Sequence, residues 1–96
     1  MKPSAALSSH RIAVRRLAAR FHTANPRVFG SVAQGVDQDG SDLDLLVDAL
    51  PQATLLDLGG LQAALEDLLG VPVDVRTPLD LPASFRDEVL RQAQPV

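Results

Sequence analysis

A short apolar segment, a glycine-serine turn and an acidic strand follow one another near the middle of this chain, and they constrain its fold more than any other feature. Residues 28–35, with the sequence Val-Phe-Gly-Ser-Val-Ala-Gln-Gly, predict a short strand, a turn and one turn of helix. Residues 41–47, with the sequence Ser-Asp-Leu-Asp-Leu-Leu-Val, predict a second strand. Because side chains alternate between the faces of a strand, Asp42 and Asp44 should share one face, and Leu43, Leu45 and Val47 should lie on the other.

The two carboxylates and the turn suggest a binding chemistry. Like charges held side by side on a half-buried strand repel each other, and an oxygen-seeking divalent cation relieves that repulsion. A turn such as Gly30-Ser31 at the start of a helix presents backbone N–H groups to an anion. Ser31 as a helix N-cap, and Gly30 as a strand-end glycine, are the alternatives that need no ligand. A divalent cation beside a phosphate-binding turn suggests phosphoryl or nucleotidyl transfer.

The remaining pattern predicts an α/β (α+β) protein with a small sheet of about three strands and helices packed on one face. The link between the second and third strands is long enough for a crossover helix, so those two strands should be parallel. We expect one domain over residues 1–96, with the N-terminal helix in 1–24, strands and crossover helix in 27–76, and the C-terminal helix in 82–94. The predicted elements are helix 4–23, strand 27–29, turn and short helix 30–35, loop 36–40, strand 42–47, a helix that begins at 54 or 52 and ends at 69, strand 71–76 and helix 83–94.

Helical spacing predicts which side chains the three long helices bury. Gly59-Gly60 lies inside the middle helix, where we expect a bend or a close approach to the sheet. Gly70 should end that helix in the left-handed conformation. The expected buried residues, helix by helix, are Leu7, Val14, Leu17, Ala18 and Phe21; then Leu55, Leu58, Leu61, Leu65, Leu68 and Leu69; and finally Phe85, Val89 and Leu90.

A third carboxylate, Asp74, completes a candidate metal site. If the third strand lies parallel to the second, Asp74 sits across from Asp42 and Asp44 with Arg76 beside it, and the valines of that strand face the helices. Three acidic groups that converge on a sheet face are unfavourable unless a cation joins them. Two Mg²⁺ ions bridged by Asp42 and Asp44 would activate an acceptor oxygen and stabilise a pyrophosphate leaving group, with Asp74 on the catalytic ion. The alternative is that these residues are solvated side chains on an open face.

Other ligand classes find less support in the sequence. An EF-hand loop beginning at Asp37 would need glycine where Asp42 stands, which argues against a calcium loop. His10 and His22 have no partner at metal-ligand spacing and are expected on the surface. The absence of cysteine excludes disulfides and thiolate metal sites. No apolar run approaches the ~18 residues of a membrane span and no secretory signal is visible, so we expect a cytoplasmic protein without membrane association.

Charge is distributed unevenly along the chain. Every acidic residue follows Val36, so the first 27 residues carry a formal charge of +6 and the remainder carries −9. Such a split is typical of nucleic-acid binding, of a transit peptide or of the solvated face of an amphipathic helix, and the helical spacing favours the last. Three Phe with no Trp or Tyr provide no row of aromatic rings for stacking bases, which disfavours nucleic acid as a partner.

The spacing of Gly30-Ser31, ten intervening residues, Asp42-Leu43-Asp44 and the later Val73-Asp74-Val75 resembles the signature of the nucleotidyltransferase superfamily shared with DNA polymerase beta. Nearly the whole chain is similar to the small MNT-type minimal nucleotidyltransferases. That resemblance implies a mixed sheet, Mg²⁺ and a nucleoside triphosphate donor, usually ATP. It further implies an antitoxin that acts beside a helical HEPN-type RNase toxin and transfers AMP to a hydroxyl of that toxin.

The resemblance also implies a role for each site residue. Gly30 and Ser31 would hold the triphosphate, Asp42 and Asp44 both metal ions, and Asp74 the catalytic ion. The chain departs from the family pattern at Gln34, because relatives usually carry Arg there, which offers a charged fork where Gln offers a neutral amide. Larger relatives use an additional helical domain to hold the nucleotide base and the acceptor. In this chain a partner chain or self-association should supply that binding surface. The alternative is an inactive relative that neutralises its partner by occlusion.

Overall fold

A four-stranded mixed sheet forms the centre of the computed structural model, which describes residues 1–96. The strand order is β3-β2-β1-β4, with β2 and β3 parallel and β1 antiparallel to both β2 and β4. The sheet therefore has one strand more than the sequence predicts. None of the helices is both long and apolar enough to cross a membrane. In chain order the elements are α1 (Pro3–Ser8), α2 (Arg11–Arg20), β1 (Thr23–Phe29), α3 (Gly30–Gln34), β2 (Leu43–Ala49), α4 (Leu55–Leu69), β3 (Val73–Arg76), a 3-10 turn (Pro78–Asp80), α5 (Ala83–Gln92) and β4 (Gln94–Pro95).

The N-terminal region is two helices rather than the single helix predicted over residues 4–23. Side chains at the break bond to carbonyls of the preceding turn: Ser9 Oγ donates to Ala5 O at 3.4 Å, and His10 Nδ1 lies 2.9 Å from Ala6 O. Such local bonds offer the backbone an alternative to the helical ladder. At the other end, the buried Thr23 hydroxyl donates to Ala18 O at 2.8 Å, so β1 begins where the helix was expected to continue.

The core lies between the helices and the face of β2 that carries its odd-numbered residues. In α4 the buried stripe is Leu61, Leu65 and Leu69, spaced by whole turns. Leu55 was expected in this stripe, but it is 86% exposed because it lies on the first turn, roughly 90° away from the stripe. The core cluster is Ala6, Leu7, Val14, Val28, Leu43, Leu45, Val47, Leu61, Leu65, Leu69, Val71 and Val73.

Gly70 behaves as the sequence predicts, whereas the close approach at Gly60 is to a neighbouring side chain and not to the sheet. A Cβ at Gly60 would lie 2.7 Å from Cε1 of Phe21, so the helix approaches the ring that follows α2 rather than the sheet itself. Gly70 ends the helix with a φ of 69°. The helix begins at Thr54, whose side chain accepts from the Asp57 N–H while the Asp57 carboxylate accepts from the Thr54 N–H, a capping box.

Side chains of α4 also bond to the outer edge of β3. Glu66 accepts a hydrogen bond from the Val73 N–H at 3.0 Å, and Gln62 accepts one from the Val75 N–H at 3.1 Å. Both donors belong to the edge strand and point away from β2, so they would otherwise depend on water. These bonds hold β3 in one register against α4 and therefore fix the position of Asp74 along the sheet.

The C-terminal segment differs from its prediction in two ways. The last helix ends at Gln92 rather than Gln94, because Gln94 pairs with Val28 and begins β4. The apolar side chains of α5 were expected to pack, but no residue of the helix is buried, and Phe85 and Leu90 are 44% and 42% exposed. The helix is instead attached at its first turns by the Arg86 guanidinium, which donates to carbonyls of the segment before α5.

Candidate active site

Asp44 and Asp74 are register partners in the parallel pair formed by β2 and β3. Their side chains therefore lie on the same face of the sheet, opposite the face that packs on α4. Asp42 is exposed and lies one residue before β2. It therefore belongs to the loop, whereas the sequence predicts it within the strand. The pairing brings together Asp44 and Asp74, which are 30 residues apart in the sequence. The third carboxylate, Asp42, lies just before the start of β2.

The three carboxylates influence one another electrostatically. Burial raises the pKa of Asp44, and the negative charges of Asp74 and Asp42 raise it further, while the positive charge of Arg76 opposes them. A half-buried carboxylate between two others is the arrangement in which the charged form is disfavoured and a cation is attracted.

Arg76 is the basic residue of the site, and sequence analysis gave it no role. Its Nε donates to Asp74 Oδ2 at 2.8 Å. The hydrogen bond with Asp74 and the charge of Asp74 raise the pKa of Arg76. The signal was present in the sequence, because residues two apart on a strand share a face.

Gly30 connects the turn to the carboxylates. It directly follows β1, where Phe29 is the register partner of Asp44, and it has a φ of 67°. A Cβ at this position would collide with the carboxylate of Asp44. Gly30 therefore leaves room for Asp44, a requirement additional to the predicted approach of a phosphate.

Ser31 lies in the first turn of α3. The N-cap residue of that helix is Phe29, with no side-chain cap, so the alternative of Ser31 as an N-cap does not describe this turn. The first N–H groups of a helix have no intrahelical acceptor, and those of α3 begin immediately beside Asp44. The turn and the carboxylates are thus adjacent.

Gln34, the position at which the sequence departs from the expected pattern, contacts α5. Its Nε2 donates to Gln92 Oε1 at 3.4 Å, and the Gln92 amide in turn donates to Glu88. Gln94 donates to Ala33 O at 3.1 Å and ties the same turn to β4. The two bonds that join α3 to the C-terminal segment, from Gln34 and from Gln94, involve no charged group.

The donor set suits a hard divalent cation, because it consists of carboxylate oxygens on adjacent strands. No group of three or more acidic or imidazole side chains is gathered around a common point in this conformation. Asp42 lies in the loop before β2, and Asp74 is bonded to Arg76.

The site is open to solvent on a face of the sheet. A cleft of about 810 Å³ lies elsewhere, on the basic helix α2 and the turn before it. The other half of that sheet face is covered, since Leu46 and Leu81 are buried and the 3-10 turn packs against β2. The carboxylates therefore lie on an open surface rather than in that cleft.

The remaining candidate ligands have structural roles. Asp37 is buried and accepts the Ser4 N–H at 2.9 Å, so it caps the start of α1 instead of opening a calcium loop. His22 is exposed, as predicted, and its Nδ1 lies 3.2 Å from the Asp57 carboxylate. His10 is half-buried at the break between α1 and α2, which differs from the surface position expected.

Comparison with known proteins gives concordant matches. Residues 10–96 match the nucleotidyltransferase domain family. The chain is 35% identical over 86 residues to the protein adenylyltransferase MntA of Thermococcus cleftensis, covering 90% of this chain and 84% of that protein. A solved structure described as a minimal nucleotidyltransferase superposes with a TM-score of 0.88 at 46% identity, covering 100% of this chain and 97% of the other. A toxin–antitoxin structure with AMP-PNP has a TM-score of 0.70 at 22% identity over 83% of this chain and 66% of that one, a likeness of fold alone.

Proposed function

Because this chain belongs to the nucleotidyltransferase domain family and is a nucleotidyltransferase, we propose that it transfers AMP from ATP to a hydroxyl of a partner protein. The observation that carries the proposal is the side-by-side placement of Asp44 and Asp74 beside the Gly30 turn. Carboxylates placed together next to free backbone N–H groups are suited to a metal-assisted reaction at a phosphate. The relative MntA of Thermococcus cleftensis, named a protein adenylyltransferase, supports both the donor and the acceptor class.

Each site residue has a part in the proposed reaction. Asp42 and Asp44 would hold two Mg²⁺ ions, and Asp74 would hold the catalytic one. When bound, these ions supply charge to activate the acceptor oxygen and to stabilise the leaving group. The N–H groups at Gly30 and Ser31 bind the triphosphate and orient its α-phosphorus. Asp74 accepts the proton of the acceptor hydroxyl while the oxygen of that hydroxyl forms a bond to the α-phosphorus. The bond between the α-phosphorus and pyrophosphate breaks, and pyrophosphate leaves with the bonding electrons.

The proposed partner is a toxin, specifically a helical HEPN-type RNase, in the cytoplasm. Toxin–antitoxin structures share this fold, and one of them contains AMP-PNP. The carboxylates lie on an open surface, which is consistent with an acceptor protein that itself forms part of the binding surface. The toxin would then be both substrate and second half of the binding surface.

A transfer assay tests this function directly. The purified chain is incubated with Mg²⁺, α-labelled ATP and the toxin encoded beside it, and label on the toxin is measured. Asp44→Asn should abolish labelling, whereas Asp67→Asn, an exposed carboxylate on α4, should leave it unchanged. Wild-type protein that leaves the toxin unlabelled, or Asp44→Asn protein that labels it normally, contradicts the proposal.

Neutralisation by occlusion is the second candidate, and Gln34 is the observation that favours it. Gln34 contacts Gln92 and has no charge to offer a phosphate. Toxin RNase activity measured with the Asp42→Asn variant separates the two functions. Full neutralisation by that variant supports occlusion, and loss of neutralisation supports transfer.

A further inference from the structure

Arg76 forms the one ion pair that involves the carboxylates of the site. Its Nε donates to Asp74 Oδ2 at 2.8 Å, and the two side chains are 43% and 39% exposed. The other three ion pairs of the chain, centred on the amino terminus, His22 and Arg27, involve none of these carboxylates. The guanidinium lies near enough to Asp44 for its positive charge to act on that carboxyl as well.

The bond between Arg76 and Asp74 reduces the negative charge of the three carboxylates but leaves one oxygen of Asp74 outside the ion pair. The hydrogen bond runs from a single nitrogen to a single oxygen, so it leaves Asp74 Oδ1 outside the pair. Three carboxylates and one guanidinium carry a formal charge of −2 instead of −3. A cation that approaches Asp44 therefore meets less negative charge, and it must share Asp74 with the arginine.

Strand stability does not account for an arginine at this position. Half-exposed ion pairs contribute little to stability, because solvent screens them and two side chains must be held in place. A β-branched residue would suit the half-exposed surface of a strand better than arginine. The charge at position 76 acts chiefly on the carboxylates next to it.

We propose that Arg76 is a positioning residue that weakens the binding of free Mg²⁺ and makes metal binding depend on the nucleotide, an inference that rests on the function proposed above. Free Mg²⁺ competes with the guanidinium for Asp74 and is repelled by its charge. A nucleoside triphosphate brings several negative charges to the Gly30 turn, which attract the metal ion and Arg76 together. Metal and nucleotide therefore enter as one unit, and the ion alone binds poorly.

Calorimetric titration of the chelator-treated full chain with Mg²⁺ tests this, first without nucleotide and then with AMP-PNP. Arg76→Gln should lower the Kd for free Mg²⁺ about tenfold, the size expected for removing one positive charge near a divalent ion in a solvated site. With AMP-PNP present, the change should be smaller, so the dependence on nucleotide shrinks. Arg76→Lys keeps the charge and should keep the weak affinity of the wild type.

Arg20→Gln is the matched control, because it removes the same charge from an exposed position on α2, across the sheet from the carboxylates. An Arg76→Gln chain that binds free Mg²⁺ no more tightly than the wild type, or an Arg20→Gln chain that gains as much affinity, overturns the role of Arg76. The Asp44→Asn variant distinguishes failure of the role proposed for Arg76 from failure of the proposed function. If that variant binds Mg²⁺ as the wild type does, the metal site itself is wrong. Thermal unfolding in chelator verifies that each variant is folded.

Discussion

The carboxylate of Asp44 lies against the α-carbon of Gly30, where no Cβ would fit. The glycine also has a positive φ of 67°, which disfavours any other L-residue. This contact joins the two halves of the sequence signature, since the turn proposed to bind phosphate also leaves the space for a carboxylate proposed to bind metal. Gly30 thus has two independent reasons to be glycine.

Gly30→Ala should therefore lose both stability and activity. Strain at positive φ costs about 1 kcal/mol, and the collision with Asp44 adds to it. Gly35→Ala is a matched control, since Gly35 has a φ of 73° but nothing within 4 Å of an added Cβ. Urea unfolding should show the larger loss for Gly30→Ala, and only that variant should lose transfer, by about tenfold or more. Equal losses in both variants would mean that the contact with Asp44 has no effect.

Asp44→Asn should stabilise the protein at neutral pH when a chelator removes divalent ions, although it abolishes transfer. The substitution removes a carboxylate whose charged form is disfavoured by burial and by two neighbouring charges. Allowing for solvent screening at this half-exposed group, we expect a gain of about 0.5–1 kcal/mol in the free energy of unfolding.

The pH dependence of that gain follows from the sign of the shift. The pKa of Asp44 is higher in the folded chain than the unfolded value of 3.8, so protonation favours the folded state. As the pH falls through the folded pKa, the wild type regains stability and the advantage of Asp44→Asn should shrink. Urea unfolding in chelator at a series of pH values measures this, with Asp67→Asn as the control. An advantage that grows as the pH falls would contradict the assignment.

Removal of the α4 side chains that bond to β3 should loosen the edge of the sheet. Gln62→Ala and Glu66→Ala should each destabilise the chain by about 1 kcal/mol, the usual net contribution of such a hydrogen bond. Amide exchange should accelerate at Val75 in the first variant and at Val73 in the second. Asp67→Ala, on the same helix, should change neither amide. Unchanged exchange in all three variants would show that water satisfies these donors equally well.

Asp37 should make the start of α1 sensitive to acid. The hydrogen bond from the Ser4 N–H lowers the pKa of Asp37 below the unfolded value of 3.8. Its contribution to stability is thus complete above that value and is lost as the pH falls through the lower folded pKa. Asp37→Asn should remove this contribution at neutral pH, seen as a lower unfolding temperature and faster exchange of the Ser4 amide. Asp39→Asn, an exposed neighbour, should leave that amide unaffected.

Local pattern predicted the parts of the site that depend on alternation along strands. The parallel pairing that places Asp74 beside Asp44 follows from the length of the crossover between them. The left-handed end of α4 at Gly70 likewise follows from residue type. These features depend on a few neighbouring residues, so the sequence alone was sufficient.

The features that the sequence did not reveal depend on contacts between distant residues. The extra strand exists because Gln94 pairs with Val28, and nothing in the last residues signals that partner. Helix α5 has an amphipathic spacing, but its apolar side lies outside the core, so spacing alone predicted burial wrongly. The bond from Arg76 to Asp74 differs from these, because the i, i+2 spacing of the two residues on a strand already places them on one face.

The hydrogen bonds from Gln62 and Glu66 to β3 have a consequence for assembly. They occupy the outward N–H groups of one border of the sheet, and the opposite border is only two residues long and includes Pro95, which has no N–H. Both borders are therefore poor templates for a strand from another molecule. We expect complexes of this protein to form mainly through side-chain surfaces, which leaves the sheet face that carries Asp44 open to the proposed acceptor.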